Sequence, residues 1–357
     1  MRRVLITGGA GFVGANLAVG LARRHPDWEL VALDNLYRRG SELNLPRLEE
    51  AGVAFVRADV RERDGLFELE SVDALVECSA EPSALMEPDS DTSYPVETNL
   101  LGAYNCLELA RRDGAQFVFL STSRVYPFEA LGRVAVREAE TRLELEPEQD
   151  LPGVSPAGIS EDFPLSGPRT LYGATKLAAE LLITEYGSRF GFPAVVDRCG
   201  VIAGPWQMGR VDQGVFALWA LHHHYGVPLS YIGHGGEGRQ VRDLLHVEDL
   251  CELIELQLSD PAAWDGATLN VGGGAGCSLS LAEATELCRE LSGNEVAIDS
   301  VPETRYGDVP VYISDCTRLH ERTVWRPRRD ARAVLADIFT WIERNAEVVG
   351  PALGIPA

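Results

Sequence analysis

Short apolar runs alternate with amphipathic stretches along the first 200 residues of the chain. The first run, Arg3–Thr7, leads into a glycine-rich turn, and apolar residues then recur at helical spacing through 15–24. Further strands are predicted at 30–33, 53–56, 74–76, 117–120 and 193–196. Further helices are predicted at 99–112 and 173–190. Because strands alternate with helices, we predict an α/β fold built on a doubly wound parallel sheet with both faces covered.

The rest of the chain is less regular. Residues 127–171 have no clear period, and we predict a long loop there, with one short helix, that covers a site. After Gly200 the segments carry more Gly, Trp and His, which indicates a smaller, C-terminal lobe. Strand-like residues near 241–250 and 267–271 are placed to return to the sheet, so this lobe is interleaved with the main domain. Its helices are predicted at 281–291 and 331–344. The predicted division is residues 1–199 plus 243–273 for the main domain and 200–242 plus 274–357 for the lobe.

Composition narrows the class of protein. The 357 residues are 45% hydrophobic, which is enough for a large core in two domains, and no apolar run has the length of a membrane span. Seven cysteines without a C-x-x-C pair favour reduced thiols in the cytoplasm over a disulfide framework or a zinc site. The net charge of −22 makes nucleic acid and anionic membranes improbable partners. The three consecutive histidines at 222–224 are not expected to bind a metal ion, because three consecutive helical residues point in different directions.

The first turn carries a nucleotide-binding signal. Gly8, Gly11 and Gly14 follow a strand and precede a helix, where glycines let the backbone approach a pyrophosphate and the helix N-terminus supplies N–H donors. Asp34 lies 20 residues after Gly14, at the end of the second strand, where a carboxylate accepts from ribose hydroxyls and repels a 2′-phosphate. The alternative interpretation, a tight glycine turn that binds no ligand, does not account for the position of Asp34. The pattern predicts a Rossmann domain that binds NAD in preference to NADP.

The chemistry is predicted at the chain's single lysine. Thirty-one of the 32 basic residues are Arg, and Lys176 stands four residues after Tyr172, on the same helix face. An ammonium stabilises the phenolate that Tyr172 must form to act as a base, and Arg cannot reproduce this compact charge. Thr122, at the end of the fifth strand, is placed to hydrogen-bond a substrate hydroxyl. A surface Tyr and Lys with no role is the alternative interpretation.

Several segments carry a resemblance to a known family. The motifs T-G-G-A-G-F-V-G, L-D-N-L, A-D-V, Y-G-A-T-K and R-D-L-L-H-V-E-D resemble the extended short-chain dehydrogenase/reductase family over nearly the whole chain. The resemblance implies an NAD-dependent nucleotide-sugar epimerase, dehydratase or decarboxylase. Four further segments, S-T-S-R-V-Y, A-E-P-S, V-D-Q-G and G-R-Q-V-R-D-L-L-H, most resemble the branch that epimerises CDP-linked sugars at the 2-position.

The resemblance implies a set of site residues. The catalytic residues are Thr122, Tyr172 and Lys176. The NAD-binding residues are Gly8, Gly11, Phe12, Val13, Gly14, Asp34, Asn35, Asp59 and Val60, together with Tyr172 and Lys176. The residues that bind the nucleotide-sugar substrate are Ser83, Thr122, Gln213, Arg239, Arg242 and Arg305. No metal ion is implied, and a homodimer is expected by analogy with the family.

One departure from the family pattern bears on the reaction. Dehydratases of the family carry an Asp-Glu pair directly after the threonine, whereas this chain has Ser123 and Arg124, so dehydration is disfavoured. We predict an NAD-dependent epimerase that inverts a hydroxyl-bearing sugar carbon through a transient ketone, with the 2-position of a CDP-hexose or CDP-dideoxyhexose favoured. The alternatives are a UDP-sugar 4-epimerase, a net dehydrogenase or reductase, and a non-catalytic NAD-binding scaffold.

Overall fold

The computed structural model describes residues 1–83, 89–209 and 213–353. In these residues the strands are β1 (Arg3–Thr7), β2 (Glu29–Asp34), β3 (Ala54–Arg57), β4 (Ala74–Glu77), β5 (Gln116–Thr122), β6 (Val136–Glu138), β7 (Leu143–Leu145), β8 (Val154–Ser155), β9 (Gly158–Ile159), β10 (Ala194–Cys199), β11 (Val201–Ala203), β12 (Leu229–Ile232), β13 (Val241–His246), β14 (Ala267–Val271), β15 (Ser278–Ser280), β16 (Ile298–Val301) and β17 (Val311–Tyr312). The helices are α1 (Phe12–Arg24), α2 (Leu45–Glu50), α3 (Arg63–Phe67), α4 (Ser93–Val96), α5 (Gly102–Asp113), α6 (Phe128–Leu131), α7 (Leu171–Phe190), α8 (Val215–Tyr225), α9 (Val247–Ser259), α10 (Pro261–Trp264), α11 (Leu281–Ser292), α12 (Thr317–Arg322), α13 (Ala331–Arg344) and α14 (Ala346–Leu353). A π-helical turn, Glu97–Leu101, joins α4 to α5.

Seven parallel strands form the central sheet, in the order β3-β2-β1-β4-β5-β10-β14. The strands β4, β5 and β10 are buried along their whole length, because helices cover both faces of the sheet. The chain runs outward from β1 to β3 on one side and from β4 onward on the other. This change of direction leaves a crevice at the carboxyl ends of β1 and β4, where open α/β sheets bind ligands. The predicted doubly wound, Rossmann-type sheet is confirmed.

Two apolar layers hold helices against the sheet. On one face, α1 and α9 bury leucines such as Leu17 and Leu253 against β1 and β4. On the other face, α5 and α7 bury Leu107 and Ile183 against β5 and β10. Helix α1 begins at Phe12, three residues before the predicted start. Gly11 is its N-cap, and Gly14, which was assigned to the turn, already lies in the helix. No helix of the described residues combines the length and apolar character needed to cross a membrane.

The second lobe is built on β13 and three helices. β13 pairs with β11, β15 and β17, and α8, α11 and α13 enclose a separate apolar cluster beside it. β14 returns to the central sheet next to β10, and α9 packs on the central sheet as well. The predicted boundary between residues 242 and 243 therefore falls inside β13, which pairs only with strands of the lobe. We propose that the division lies after β13, at the start of α9.

The segment 127–171 differs from the predicted long loop. It contains α6 and two small antiparallel hairpins, β6 with β7 and β8 with β9. Apolar side chains that include Phe163 pack these pieces against Tyr126 and Tyr312, and the three rings form one buried group. Strands of two or three residues carry too few positions for a sequence period to be visible, which is why the pattern gave no strand prediction here.

Candidate active site

The glycine turn between β1 and α1 forms the floor of a cavity of about 230 Å³. Gly8 has a φ of +60°, and a Cβ atom there would lie 2.9 Å from the carbonyl carbon of Cys78. A Cβ atom on Gly14 would lie 2.2 Å from the carbonyl oxygen of Gly8. No described side chain caps the N-terminus of α1 at Gly11, so its N–H groups are left to bind a ligand. The predicted residues Gly8, Gly11, Phe12, Val13 and Gly14 all line this cavity.

The carboxylate of Asp34 lies in the wall of the same cavity. It accepts the backbone N–H of Ala10 at 3.1 Å and that of Leu36 at 2.8 Å, which connects the end of β2 to the glycine turn. Burial raises the pKa of Asp34, and these backbone donors lower it in part. The carboxylate is thus held in place with acceptor capacity that faces the cavity.

Asp59 and Asn35 form a brace beside this wall. The Asn35 amide donates to Asp59 at 2.9 Å, and the Arg61 guanidinium donates to both carboxylate oxygens. Burial raises the pKa of Asp59, but the hydrogen bonds from Arg61 and Asn35 outweigh it and lower the pKa to about 2. Asn35 and Val60 line the cavity, whereas the Asp59 carboxylate is occupied by its two partners. Asp59 therefore stabilises the wall of the cavity through Asn35 and Arg61 and does not itself line the cavity.

Tyr172 stands where this cavity meets a second one of about 430 Å³ that extends into the lobe. It lies in the first turn of α7, whose N-cap Thr170 accepts the N–H of Gly173 at 3.3 Å. The hydroxyls of Tyr172 and Thr122 are hydrogen-bonded to each other. Burial raises the pKa of Tyr172 to about 12, while Thr122 and Arg124 lower it in part. The phenol is therefore protonated in the ligand-free protein.

Lys176 lies one turn after Tyr172 and is buried inside the protein. Its side chain is 1% exposed, and its Nζ lies 3.4 Å from Oε2 of Glu77 and 3.9 Å from the centre of the Phe119 ring. Burial raises the pKa of Glu77, and the nearby ammonium lowers it in part. A carboxylate, which sequence reasoning did not identify, thus compensates the chain's single ammonium. The one signal in the sequence that could have indicated this partner is the position of Glu77, an acidic residue at the end of the apolar strand β4.

The second cavity carries the predicted arginines Arg242 and Arg305. Arg242 projects from β13 and donates to Asp308 at 2.8 Å and to the carbonyl of Val309 at 2.6 Å. Burial lowers the pKa of Arg242, and Asp308 raises it in part. No described residue forms an ion pair with Arg305. Two guanidinium groups on one wall, one of them without an acid partner among the described residues, suit a dianionic diphosphate.

Three other predicted substrate residues have different positions. Gln213 lines both cavities and accepts a hydrogen bond from Arg38. Ser83 instead donates its hydroxyl to Glu81 at 2.7 Å, and its neighbour Pro82 reaches the cavity walls. Ser83 was expected to bind the substrate, but it is not among the residues that line either cavity.

Arg239 also differs from its expected position, because it lies away from the cavity and forms ion pairs with Glu138 and Glu237. Gln240 and Arg242 line the cavity, and alternate residues of an extended chain point to opposite sides, so Arg239 points away from the cavity.

The cavity also contains residues that the sequence reasoning did not assign to it. Trp219 and His222 of α8 contribute to its wall, as do Arg124 and Asp308. Residues 127–171, which were expected to cover a site, pack behind the end of β5 and contribute no described residue to this wall. Among residues 1–83, 89–209 and 213–353, no cluster of three His, Cys, Asp or Glu side chains is arranged to hold a metal ion.

Comparison with known proteins identifies the family. The sequence model described as the NAD dependent epimerase/dehydratase family matches residues 4–272. CDP-paratose 2-epimerase of Salmonella typhi is 29% identical over 347 residues, which cover 95% of this chain and 98% of that protein. dTDP-glucose 4,6-dehydratase of Streptomyces griseus is 29% identical over 361 residues, which cover 99% of each.

Solved structures agree with this assignment. UDP-glucose 4-epimerase of Thermus thermophilus, determined in complex with NAD, superposes with a TM-score of 0.74 and 28% identity over 96% of this chain and 99% of that one. dTDP-glucose 4,6-dehydratase of Bacillus anthracis, also determined with NAD, has the same fold, with a TM-score of 0.73 and 21% identity over 99% of this chain and 100% of that one. The chain is therefore an enzyme of the NAD dependent epimerase/dehydratase family, with NAD as its cofactor.

Proposed function

We propose that the protein is a nucleotide-sugar epimerase that inverts a hydroxyl-bearing sugar carbon, with the 2-position of a CDP-hexose or CDP-dideoxyhexose favoured. The position of Tyr172 carries this proposal. Its phenol is the one ionisable side-chain group that the described walls of both cavities share, and Thr122 lines the second cavity beside it. The similarity to CDP-paratose 2-epimerase along 95% of the chain supports the choice of the 2-position.

The first cavity fits NAD. The glycine turn has no room for side chains where a pyrophosphate must approach, and the N-terminus of α1 presents N–H donors to it. Asp34 would accept from the adenosine ribose hydroxyls, while Phe12, Val13 and Val60 provide apolar walls. When bound at Tyr172, NAD supplies an acceptor for the hydride of the sugar carbon and later returns it.

The chain's own residues would handle the proton. As phenolate, Tyr172 accepts the proton of the sugar hydroxyl while the C–H bond of the same carbon breaks and a C=O bond forms. Thr122, hydrogen-bonded to the phenol, orients the sugar oxygen. Lys176 holds positive charge beneath the site, and Arg242 and Arg305 grip the diphosphate. The ketone then turns over in the second cavity and receives the hydride on its other face, while Tyr172 returns the proton to oxygen, so no net oxidation occurs.

The walls of the second cavity argue against dehydration. Elimination of water needs an acid and a base in addition to the tyrosine. Among the described residues that line this cavity, the only carboxylate is Asp308, and it is paired with Arg242. Serine and arginine follow Thr122 at 123 and 124. We therefore favour epimerisation, although dehydratases are among the relatives.

Product stereochemistry tests the proposed reaction. Purified protein is incubated separately with CDP-, UDP-, GDP- and dTDP-hexoses, and the sugar is followed by NMR. Inversion at the 2-position of the CDP-sugar is the expected result. Inversion at the 4-position of the UDP-sugar would establish the alternative that the Thermus structure suggests, and loss of water or net reduction of NAD would contradict the proposal.

Asp34→Asn should change the preference between the two nicotinamide dinucleotides. Removal of the charge weakens the hydrogen bonds to the ribose of NAD and removes the repulsion of a 2′-phosphate. We expect NAD affinity to fall about 10-fold and NADP affinity to rise, as measured by calorimetric titration of nucleotide-free protein. Because the two carboxylate oxygens accept different backbone N–H groups and the amide keeps only one acceptor, the free energy of unfolding without nucleotide should fall by about 1–3 kcal/mol. Equal losses for both nucleotides would contradict the role of Asp34.

We also propose a homodimer that packs through α5 and α7. Leu181 of α7 is 67% exposed, and Leu101, the last residue of the π-helical turn before α5, is 43% exposed. The two helices lie side by side, with the rings of Tyr104 and Tyr186 in edge contact at 6.5 Å. Exposed leucines on adjacent helices are typical of a surface that a partner covers.

Leu181→Glu should dissociate this dimer. Two buried charges would face each other across a symmetric interface, so we expect the variant to sediment as a monomer under conditions in which the wild type is a dimer. The matched control is Leu256→Glu, which changes a 42% exposed leucine on α9, away from the proposed interface. A wild-type monomer, or a Leu181→Glu dimer, would contradict the proposal.

We further propose a cytoplasmic location, because all seven cysteines are free.

A further inference from the structure

Arg124 lines the second cavity together with the proposed catalytic residues Thr122 and Tyr172. It follows Thr122 by two residues, and its backbone N–H donates to the Thr122 hydroxyl at 3.2 Å. A Cβ atom on Gly173, in the turn that carries Tyr172, would lie 2.0 Å from the carbonyl oxygen of Arg124. The backbones of the two segments are therefore in direct contact. The Arg124 side chain is half-buried and lines the same cavity as Tyr172.

The guanidinium of Arg124 forms a hydrogen bond with the lobe. Its Nη1 donates to the carbonyl oxygen of Gly307 at 2.8 Å, next to the loop that supplies Arg305 and Asp308. Its other N–H groups make no hydrogen bond to the described residues. Arg124 therefore lines the same cavity as Tyr172, Arg242 and Arg305, and this cavity is where the sugar must lie if the diphosphate is bound by Arg242 and Arg305.

The charges around the site distinguish Arg124 from its neighbours. Lys176 is compensated by Glu77, and Arg242 is compensated by Asp308. Arg124 forms no ion pair with any described residue. It is thus a cation near Tyr172 whose charge no adjacent described carboxylate offsets, and a half-buried guanidinium of this kind is suited to a ligand with oxygen acceptors.

We propose that Arg124 is a further catalytic residue that donates hydrogen bonds to a sugar oxygen beside the reacting carbon and places its positive charge in the cavity that Tyr172 lines. This inference rests on the proposed function in requiring a nucleotide-sugar substrate, but it does not depend on which base or which sugar carbon is involved. In the reaction Arg124 transfers no proton. It holds the sugar oxygen through N–H donors and lowers the free energy of the anionic phenol through its charge.

Other groups also face Tyr172, and their effects have known signs. From β5, Thr122 lowers the pKa of the phenol by a hydrogen bond. From β4, the charge of Glu77 raises it, whereas Cys199 of β10 would raise it only as a thiolate. Burial raises the pKa of the Cys199 thiol well above its usual value, so this group stays neutral. Arg124 lowers the pKa of Tyr172, and Lys176 lies one turn further along α7 with Glu77 as its partner.

Two variants separate the charge of Arg124 from its structural contact. Arg124→Gln removes the charge together with the contact to the carbonyl of Gly307, because the glutamine side chain is shorter and its amide does not reach the position of Nη1. In Arg124→Lys the charge remains without the planar fork. The surface control is Arg137→Gln, which removes the same charge from an arginine that is 61% exposed and paired with Glu144. The thermal unfolding temperature of the holoenzyme should be similar for the wild type and these three variants.

Paired binding measurements test the contact with the sugar. The Kd is measured for CDP and for the CDP-hexose that the wild type accepts, or for UDP, GDP or dTDP and the matching sugar if another base is accepted. For Arg124→Gln we expect the Kd of the nucleotide sugar to rise about 10-fold or more, with the Kd of the nucleoside diphosphate unchanged within about twofold. Arg137→Gln should change neither.

Titration of the phenol tests the electrostatic part. The pH-dependent ultraviolet difference between each protein and its Tyr172→Phe counterpart isolates the ionisation of this tyrosine. Arg124→Gln should shift that ionisation to higher pH, Arg124→Lys should preserve it, and the rising limb of the kcat profile should shift in the same direction.

The outcomes separate this inference from the proposed function. Equal losses of affinity for the nucleoside diphosphate and the nucleotide sugar would assign Arg124 to the diphosphate and overturn the inference alone. An unchanged phenol titration with unchanged sugar affinity would assign Arg124 to the contact with Gly307 and would also overturn it. If the wild type bound none of the four nucleotide sugars, the proposed function would fail, and the inference would fail with it.

Discussion

Tyr172→Phe should lower kcat at least about 10³-fold while leaving the binding of NAD and of the nucleotide sugar almost unchanged. The phenol oxygen is the only atom removed, and its hydrogen bond with Thr122 is the one contact of this hydroxyl identified in the described protein. The ring that packs at the junction of the two cavities remains. The loss therefore falls on proton transfer. Single-turnover NMR and calorimetric titration with both ligands measure the two effects separately.

The pH dependence provides a second readout of the same variant. Burial raises the pKa of Tyr172 to about 12, so below this pH the ligand-free phenol is protonated and only a small fraction is phenolate. Activity of the wild type should rise with pH as the phenolate forms, and the positive charge of an oxidised nicotinamide ring would lower the pH at which it does so. The residual activity of Tyr172→Phe should lack this limb.

The control for Tyr172→Phe is Tyr225→Phe, which removes a phenol hydroxyl from the end of α8, where it donates to the carbonyl of Ala346 at 3.1 Å. This variant should keep wild-type kcat. Full activity in Tyr172→Phe would remove this tyrosine from the mechanism and, with it, the observation on which the proposed function depends.

Lys176→Met should destabilise the protein by about 3–5 kcal/mol, because removal of one member of a buried ion pair leaves the other uncompensated. Lys176 and Glu77 are each 1% exposed and lie 3.4 Å apart. The double variant Glu77→Gln, Lys176→Met should recover most of the lost free energy of unfolding, since no buried charge remains. Chemical denaturation at a fixed NAD concentration measures all four corners of this cycle.

Activity should not follow stability in this cycle. The double variant regains its fold but lacks the ammonium beneath Tyr172, so it should remain inactive. Lys176→Arg should be inactive as well, because the guanidinium is larger than the space between Glu77 and the Phe119 ring, despite its retained charge. If Lys176→Met unfolded at the same denaturant concentration as the wild type, the buried pair would not contribute to stability in solution.

Local patterns were enough to predict the central sheet and the cofactor cradle. The strands β4, β5 and β10 are short apolar runs that are buried on both faces, and the glycine spacing between β1 and α1 reflects a turn whose closest approaches leave no room for a Cβ atom. Asp34 follows from its distance to that turn. Tyr172 and Lys176 share a helix face because residues four apart do so in any α-helix. Each of these features depends on neighbours within one or two elements.

Features that join distant segments were not predictable in this way. Glu77 and Lys176 are 99 residues apart, and the burial that pairs them arises only when α7 packs on β4 and β5. The proposal that the division between domain and lobe lies after β13 depends on the pairing of β13 with β11, β15 and β17, which involves three other segments.

The same limit applies to the walls of the second cavity. Arg239 and Arg242 are equivalent as residue types, yet only the pleat of the chain entering β13 directs one into the cavity and the other to Glu138. Arg124 became a candidate for the sugar site only once the loop at Gly307 was placed against it. The sequence by itself determined the sheet, the cradle and the helical pair, because these depend on local periodicity and backbone sterics. The tertiary structure alone decided which charges are compensated and which face the substrate, because those depend on long-range packing of the lobe against the sheet.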